Sequence, residues 1–322
     1  MNIDTVTVNH AVKAIIFRKD GKVLMQQRDY TEGLPFQGRW TFFGGSIRKN
    51  EKLKDALKRE LEEELEFSKN KIGKKLFDWT WKSDWSLGHN HFFPVKYTGK
   101  PKLNLKEGIS MKWFDLKDFI INPVTPDVYE NFHKIYQLLF SKNLITSSDL
   151  RDFEKCLISF GNFLKKNNRV FYTSKKMCDI SRQEIFLLKN LASLRKERIF
   201  RICMHVDDES QYHEMLMIHV EPVIVGPLKL NKNYLSYHMI EGEIIVYLLD
   251  KKGRHTKKLN LSIHNGNQFL RLEADKFRKI YTNSNFAIFL EITSGPFKDS
   301  DTVWFHSNIK VRSQKNIDHF QH

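Results

Sequence analysis

The stretch "GGSIRKNEKLKDALKRELEEELEF" at residues 44–67 limits the possible folds of this chain more than any other. Its apolar residues recur at helical spacing and predict a helix over residues 51–66. One stripe of that helix would pack on a core, and it consists of Leu53, Ala56, Leu57 and Leu61.

Three carboxylates share another side of the predicted helix. Residues three and four positions apart face the same way, so Glu60, Glu63 and Glu64 converge. Like charges this close repel each other unless a cation or a basic partner lies among them. Runs of charge are usually only solvated, so the interpretation depends on the residues around them.

Those residues resemble the Nudix box. Gly45 is followed by five residues and Glu51, then by seven residues and "RELEEE" at 59–64. The resemblance extends over about residues 8–140 and implies a loop–helix–loop within an α/β/α sandwich. The full motif continues with a glycine where this chain has Glu66. A left-handed glutamate at the end of a helix would cost about 1 kcal/mol.

The resemblance implies a pyrophosphohydrolase that depends on Mg²⁺ or Mn²⁺. Glu60, Glu63 and Glu64 would be metal ligands, and Glu63 or Glu64 would also help to activate water. Glu107 would add a ligand from a later loop, or is simply an exposed loop carboxylate.

The resemblance also implies supporting roles for residues around the helix. Arg59 and Glu51 would form an ion pair that orients the helix, and both would count among the catalytic residues. Gly44 and Gly45 would let the backbone approach the metal or a phosphate. Substrate-binding residues would also include Arg28, at the end of "KVLMQQR", and Trp40, because Nudix enzymes often contact phosphates or a base at these places.

The chain is long enough for two domains, which we place at residues 1–143 and 144–322. The polar segment 141–149 is the predicted linker, and a helix over residues 149–166 is predicted to follow it. Short alternating segments then dominate, such as "EIIVYLLD" and "FAIFLEI". They predict an all-β sandwich or barrel, so the fold class is α+β.

The second domain resembles WbuC-type cupins over about residues 170–306, through "RICMHVDDESQYHEMLMIH", "HMIEG", "FLRLEA" and "TSGPFKDSDTVW". This resemblance implies a jelly-roll barrel preceded by helices. The usual cupin metal ligands fall at Leu228, Leu230, Leu235 and Arg278, so we expect no metal cofactor there. The polar residues that survive from the family pattern could bind a ligand or hydrogen-bond within the barrel; they are His205, His213, Glu214 and His238.

The formal charge of +15 invites a nucleic-acid interpretation, but the basic residues are scattered and no nucleic-acid-binding motif accompanies them. We therefore expect an anionic small molecule as partner, rather than nucleic acid or a membrane. There is no signal-peptide pattern or membrane-spanning run. Three widely spaced cysteines, Cys156, Cys178 and Cys203, suggest reduced thiols and a cytoplasmic protein.

The leading hypothesis is Mg²⁺-dependent hydrolysis of a nucleoside diphosphate linked to another group. A nucleotide-sugar is favoured, because WbuC-type cupins are associated with surface-polysaccharide biosynthesis. The cupin domain would bind a ligand or pair two subunits into a homodimer. The alternatives are a nucleotide- or sugar-sensing protein, and a pyrophosphohydrolase of housekeeping nucleotides or RNA ends.

Overall fold

The computed structural model describes residues 8–68, 70–82, 87–174, 179–195, 197–221, 223–264 and 266–305, and Cys178 lies outside these ranges. The chain divides into two compact units, Met1–Leu157 and Ile158–His322. Within the described ranges, no helix is long and apolar enough to cross a membrane.

The first unit is built on a six-stranded sheet. Its strands run in the order β3-β2-β1-β5-β4, and β6 pairs with β2. Strands β1 and β5 are parallel, and the other pairs are antiparallel. The bounds are β1 Val8–Phe17, β2 Val23–Gln27, β3 Trp40–Thr41, β4 Phe77–Lys82, β5 Leu87–Lys96 and β6 Ser110–Phe114.

Helices cover both faces of this sheet. They are α1 Leu53–Leu65, α2 Asp118–Ile121, α3 Pro126–Ser141 and α4 Ser147–Phe160. Helix α1 buries its predicted apolar stripe against residues that include Val12 and Phe93. On the opposite face an aromatic chain, Phe114–Phe119–Phe132–Phe153, joins β6 to α2, α3 and α4. The result is the predicted α/β/α sandwich.

The helix predicted over residues 149–166 is wrong in its last part. Helix α4 ends at Phe160, and a short strand, β7 Phe163–Lys165, follows. Between them Asn162 has a φ of 51°, a left-handed conformation that stops a helix. The domain boundary at residues 143/144 stays a prediction; most of α4 belongs to the first compact unit.

The second unit is mostly β-structure; among its described residues are the α-helix α5 Arg182–Ser193, which begins with a capping box at Ser181, and a short 3₁₀ helix, Asp299–Asp301. One sheet has the order β15-β12-β17-β10-β9-β8-β7. Besides β7, its bounds are β8 Val170–Thr173, β9 Ile199–Cys203, β10 Tyr212–Val220, β12 Leu235–Glu241, β15 Phe269–Leu272 and β17 Phe286–Ser294.

The second sheet of this unit has the order β14-β13-β16-β11-β18. Its bounds are β11 Ile224–Leu230, β13 Glu243–Leu249, β14 His255–Ser262, β16 Phe277–Thr282 and β18 Thr302–Trp304. Both sheets contribute to one apolar core, in which Tyr237 and Phe289 of the first meet Val246 and Ile280 of the second. The described strands therefore form a sandwich of two sheets, and hydrogen bonds between these strands do not close it into a barrel.

Candidate active site

The candidate site lies on helix α1. The helix ends at Glu66, which occupies the left-handed position where the motif has a glycine. This residue is left-handed, with φ 53° and ψ 38°, and its amide donates to the Glu62 carbonyl at 3.0 Å. Its carboxylate forms hydrogen bonds with Lys106 and Asn104, both at 2.5 Å, which lower the pKa of Glu66. These contacts offset the strain that a glycine would avoid, so the helix ends where the motif requires.

Arg59 and Glu51 form a bidentate ion pair. The Nε and Nη2 atoms of Arg59 each donate to a different Glu51 oxygen at 2.9 Å. The Arg59 hydrogen bonds, followed by the Arg48 amide, lower the pKa of Glu51 to about 2. Arg59 also donates to the Ser46 carbonyl at 3.0 Å. The pair therefore connects helix α1 to the loop before it.

The same arginine holds two of the three convergent carboxylates. Its Nη1 atom donates to Glu60 at 2.6 Å and to Glu63 at 3.0 Å. Glu63 also accepts from Arg48 at 3.2 Å, and its side chain is 50% exposed. The repulsion among the glutamates is thus reduced by arginine at one end of the cluster, while Glu63 stays open to solvent.

Glu64 lies in a different environment, because it is only 5% exposed. Its Oε2 accepts the Gly44 amide hydrogen at 2.7 Å. Burial raises the pKa of Glu64 to about 7, against the attraction of Lys13 and the Gly44 hydrogen bond, while Glu107 and Glu60 raise it further. A carboxylate buried this deeply needs a cation to hold its charge, and a divalent metal ion would supply one.

Gly44 and Gly45 make the close approach between loop and helix possible. A Cβ atom on Gly44, which has a φ of 117°, would lie 2.2 Å from the Val12 carbonyl oxygen. A Cβ atom on Gly45 would lie 2.6 Å from Oε2 of Glu60. Side chains at either position would therefore displace the backbone or the carboxylate cluster.

Glu107 belongs to an exposed loop and reaches the cluster closely enough to raise the pKa of Glu64. Its backbone carbonyl accepts from Gln26 at 2.8 Å. Glu60, Glu63, Glu64 and Glu107 offer hard oxygen donors of the kind that Mg²⁺ or Mn²⁺ prefers, but among the described residues no three of them place their oxygens within 4.8 Å of one another.

Arg28 and Trp40 have structural contacts of their own. The Nε atom of Arg28 donates to the Pro35 carbonyl at 2.9 Å and helps to hold its loop. Trp40 is 8% exposed and packs on Phe114, with ring centroids 4.9 Å apart. In this structure the indole is part of the core, and contact of either residue with substrate stays a prediction.

Two basic residues at the site were not identified from the sequence. Lys13 donates to the Gly44 carbonyl at 2.8 Å and opposes the rise in the pKa of Glu64. Arg48 contacts Glu63. A lone lysine within the apolar strand "AVKAIIF" is a signal that could have pointed to Lys13.

The pKa of Glu64 predicts how the stability of the metal-free protein depends on pH. The unfolded chain loses this proton near pH 4.5, whereas the folded protein keeps it until about pH 7. The free energy of unfolding should therefore fall as pH rises through this window, by up to about 3 kcal/mol from this group. Urea unfolding in a chelator, from pH 4.5 to 8, measures the slope. Glu64→Gln should remove the contribution of Glu64 to this pH dependence. Equal slopes in the wild type and the variant would contradict the raised pKa of Glu64.

Residues 8–137 match the NUDIX domain family, and the match covers the sheet, helix α1 and Glu107. This match identifies residues 8–137 as a Nudix domain, and it supports a hydrolase that acts on pyrophosphate bonds.

Three solved structures illustrate what this domain is similar to. The E. coli ORF135 protein is 26% identical, with a TM-score of 0.33, and the match covers 39% of this chain and 86% of that one. A MutT protein from Methanosarcina mazei Go1 is 19% identical, with a TM-score of 0.37 and coverages of 44% and 99%. A C. elegans Ap4A hydrolase is 20% identical, with a TM-score of 0.36 and coverages of 41% and 98%. These TM-scores are low, so the assignment rests on the family match alone. No curated protein matches the chain.

Proposed function

We propose that the Nudix domain hydrolyses a nucleoside diphosphate linked to a second group, at the diphosphate. The observation that carries this proposal is the buried Glu64 carboxylate beneath the Gly44 amide, beside Glu60 and within reach of the charge on Glu107. Such a cluster is costly to fold without a cation, and its oxygen donors are those that bind Mg²⁺ together with phosphate oxygens.

The proposed mechanism gives each side chain a separate task. Glu60, Glu63 and Glu64 would hold Mg²⁺ or Mn²⁺, which when bound stabilises charge on the phosphates and makes a bound water more acidic. Arg59 holds Glu60 and Glu63 in place and is itself anchored by Glu51. Glu63, which is half exposed, can accept a proton from water, whereas the buried Glu64 orients the loop through the Gly44 amide.

We further propose that the second group of the substrate is a sugar. This choice rests on the resemblance of the second unit to WbuC-type cupins, which suggests sugar metabolism by association. The net charge of +15 favours an anionic substrate in general. Activity in the cytoplasm and a homodimer are parts of the same proposal.

The substrate proposal is tested with a panel assayed on the full-length protein with Mg²⁺. We expect higher kcat/KM for nucleotide-sugars than for ADP-ribose, nucleoside triphosphates or RNA with a 5′-triphosphate. Glu63→Gln serves as the control for contaminating hydrolases. A clear preference for triphosphates would reject the sugar assignment but would leave the hydrolase assignment intact.

For the second unit we propose a cupin-like binding role without a metal. Leu230 and Leu235 are buried in the core, and Leu228 pairs with Arg278 across β11 and β16. Arg278 is 3% exposed, and its Nε donates to the Tyr237 hydroxyl at 2.8 Å. These are apolar and cationic groups, and they cannot coordinate a metal ion.

The buried guanidinium supports the binding of an anionic group. Among the described residues, Nη1 of Arg278 is buried with no hydrogen-bond partner. The nearby acid Glu291 has its pKa raised by burial, although Arg278 and Arg201 both oppose this. A carboxylate or phosphate would give this Nη1 atom a charged hydrogen-bond partner. The pair His205 and His213, with ring centroids 3.9 Å apart, also belongs to this unit.

A further inference from the structure

Three histidines meet on the Nudix sheet outside the carboxylate cluster. His10 of β1 lies beside His89 of β5 in the parallel register, and His91 follows on the same face of β5. That face carries Val12 and the core beneath helix α1. The nearby strand β4 places Asp78 opposite His91 and Thr80 opposite His89.

The separations between the rings are those of imidazoles around one ion. The ring centroids are 5.4 Å apart for His10 and His89, 5.7 Å for His10 and His91, and 4.7 Å for His89 and His91. In a tetrahedral zinc site with nitrogens at about 2.0–2.1 Å, ring centroids lie roughly 5 Å apart and nitrogens about 3.3 Å apart. Nδ1 of His10 and Nε2 of His91 are 3.4 Å apart.

Each histidine of β5 already has an orienting partner of the kind that metal ligands use. Nδ1 of His91 lies 2.7 Å from Oδ1 of Asp78, and Nδ1 of His89 lies 2.8 Å from the Thr80 hydroxyl. With the Nδ1 protons in these hydrogen bonds, the Nε2 atoms of both rings act as acceptors; Nε2 of His91 is paired with Nδ1 of His10, and a metal ion would replace that contact. Among the described residues, one ligand atom from each of Asp78, His89 and His91 lies within 4.8 Å of the others. His10 is outside this group and reaches it through Nε2 of His91.

Asp78 is shared between His91 and a lysine. Lys75 is bound to the second Asp78 oxygen at 2.6 Å, so Oδ1 remains for His91. The lysine therefore balances the acid without occupying the space between the rings.

We propose that His10, His89 and His91 bind a transition-metal ion of the zinc class, with Asp78 orienting His91. Imidazole nitrogens suit Zn²⁺, whereas the oxygen donors of α1 suit Mg²⁺, so the two sites select different ions. His10 and His91 line a recess of about 400 Å³ that also contains Arg48 and Glu51. Three protein ligands leave a fourth position, which water or an anionic group in this recess would occupy.

The proposal is tested by titrating the metal-free, full-length protein with Zn²⁺ in excess Mg²⁺, against a chromophoric chelator. We expect one equivalent to bind, and Co²⁺ in its place to give the visible absorption of a tetrahedral site. His10→Gln and His89→Gln should each weaken binding at least about 100-fold, and Asp78→Asn about 10- to 100-fold. His10 is exposed, so its variant tests the site with little risk to folding.

Two matched variants locate the ion. His264→Gln removes an exposed histidine of the second unit and should leave the affinity unchanged. Glu63→Gln should also leave it unchanged, which separates this site from the carboxylate cluster and from the proposed hydrolysis. The inference is overturned if the wild type binds no stoichiometric Zn²⁺, or if binding survives in both histidine variants.

Discussion

Replacing Glu63 or Glu64 by glutamine is expected to reduce turnover of the best substrate by about 100-fold or more. Glutamine keeps the shape of the side chain and removes a charged oxygen donor. Folding should survive, because Glu63 is half exposed and the side-chain oxygen that remains in Glu64→Gln can still accept the Gly44 amide hydrogen. Initial rates in saturating Mg²⁺, together with circular dichroism and thermal unfolding, measure both effects.

The matched control is Glu62→Gln. Glu62 is exposed on the same helix but lies outside the convergent set, so its variant should keep a rate close to that of the wild type. Near wild-type hydrolysis by both the Glu63 and Glu64 variants would show that the reaction is carried out elsewhere. An equal loss in the Glu62 variant would point to the total charge of the helix instead.

Gly44→Ala is expected to destabilise the first unit strongly. The added Cβ would lie 2.2 Å from the Val12 carbonyl oxygen, and the φ of 117° is unfavourable for alanine. Backbone atoms of two elements must shift, so we expect a loss of about 2–4 kcal/mol in the free energy of unfolding, and with it most of the activity. Urea unfolding of the full-length protein measures the loss.

Gly45→Ala provides the comparison, because its Cβ would meet the end of the Glu60 side chain rather than backbone. A flexible carboxylate can move at small cost, so stability should change much less than in Gly44→Ala. The displaced Glu60 would hold the metal poorly, which should raise the Mg²⁺ concentration needed for half-maximal rate. If the two variants lose the same stability, the distinct roles of the two glycines are incorrect.

Local features of the chain could be predicted well. The spacing of apolar and acidic residues placed α1 within one or two residues of its observed bounds, since helix geometry acts between residues three and four apart. The end of α4 was missed, because a left-handed Asn162 stops the helix where the apolar pattern continues.

Helical spacing was enough to place three carboxylates on one helix face, and the cupin resemblance aligned leucine and arginine with that family's metal ligands. The burial of Glu64 against Gly44, the opposition of Lys13 to its protonation and the hydrogen bond from Arg278 to Tyr237 became visible in the folded structure. It also decided that His10 meets His89 and His91, which are far from it in the chain. Strand register and burial depend on contacts between distant segments, so they cannot be predicted from local periodicity.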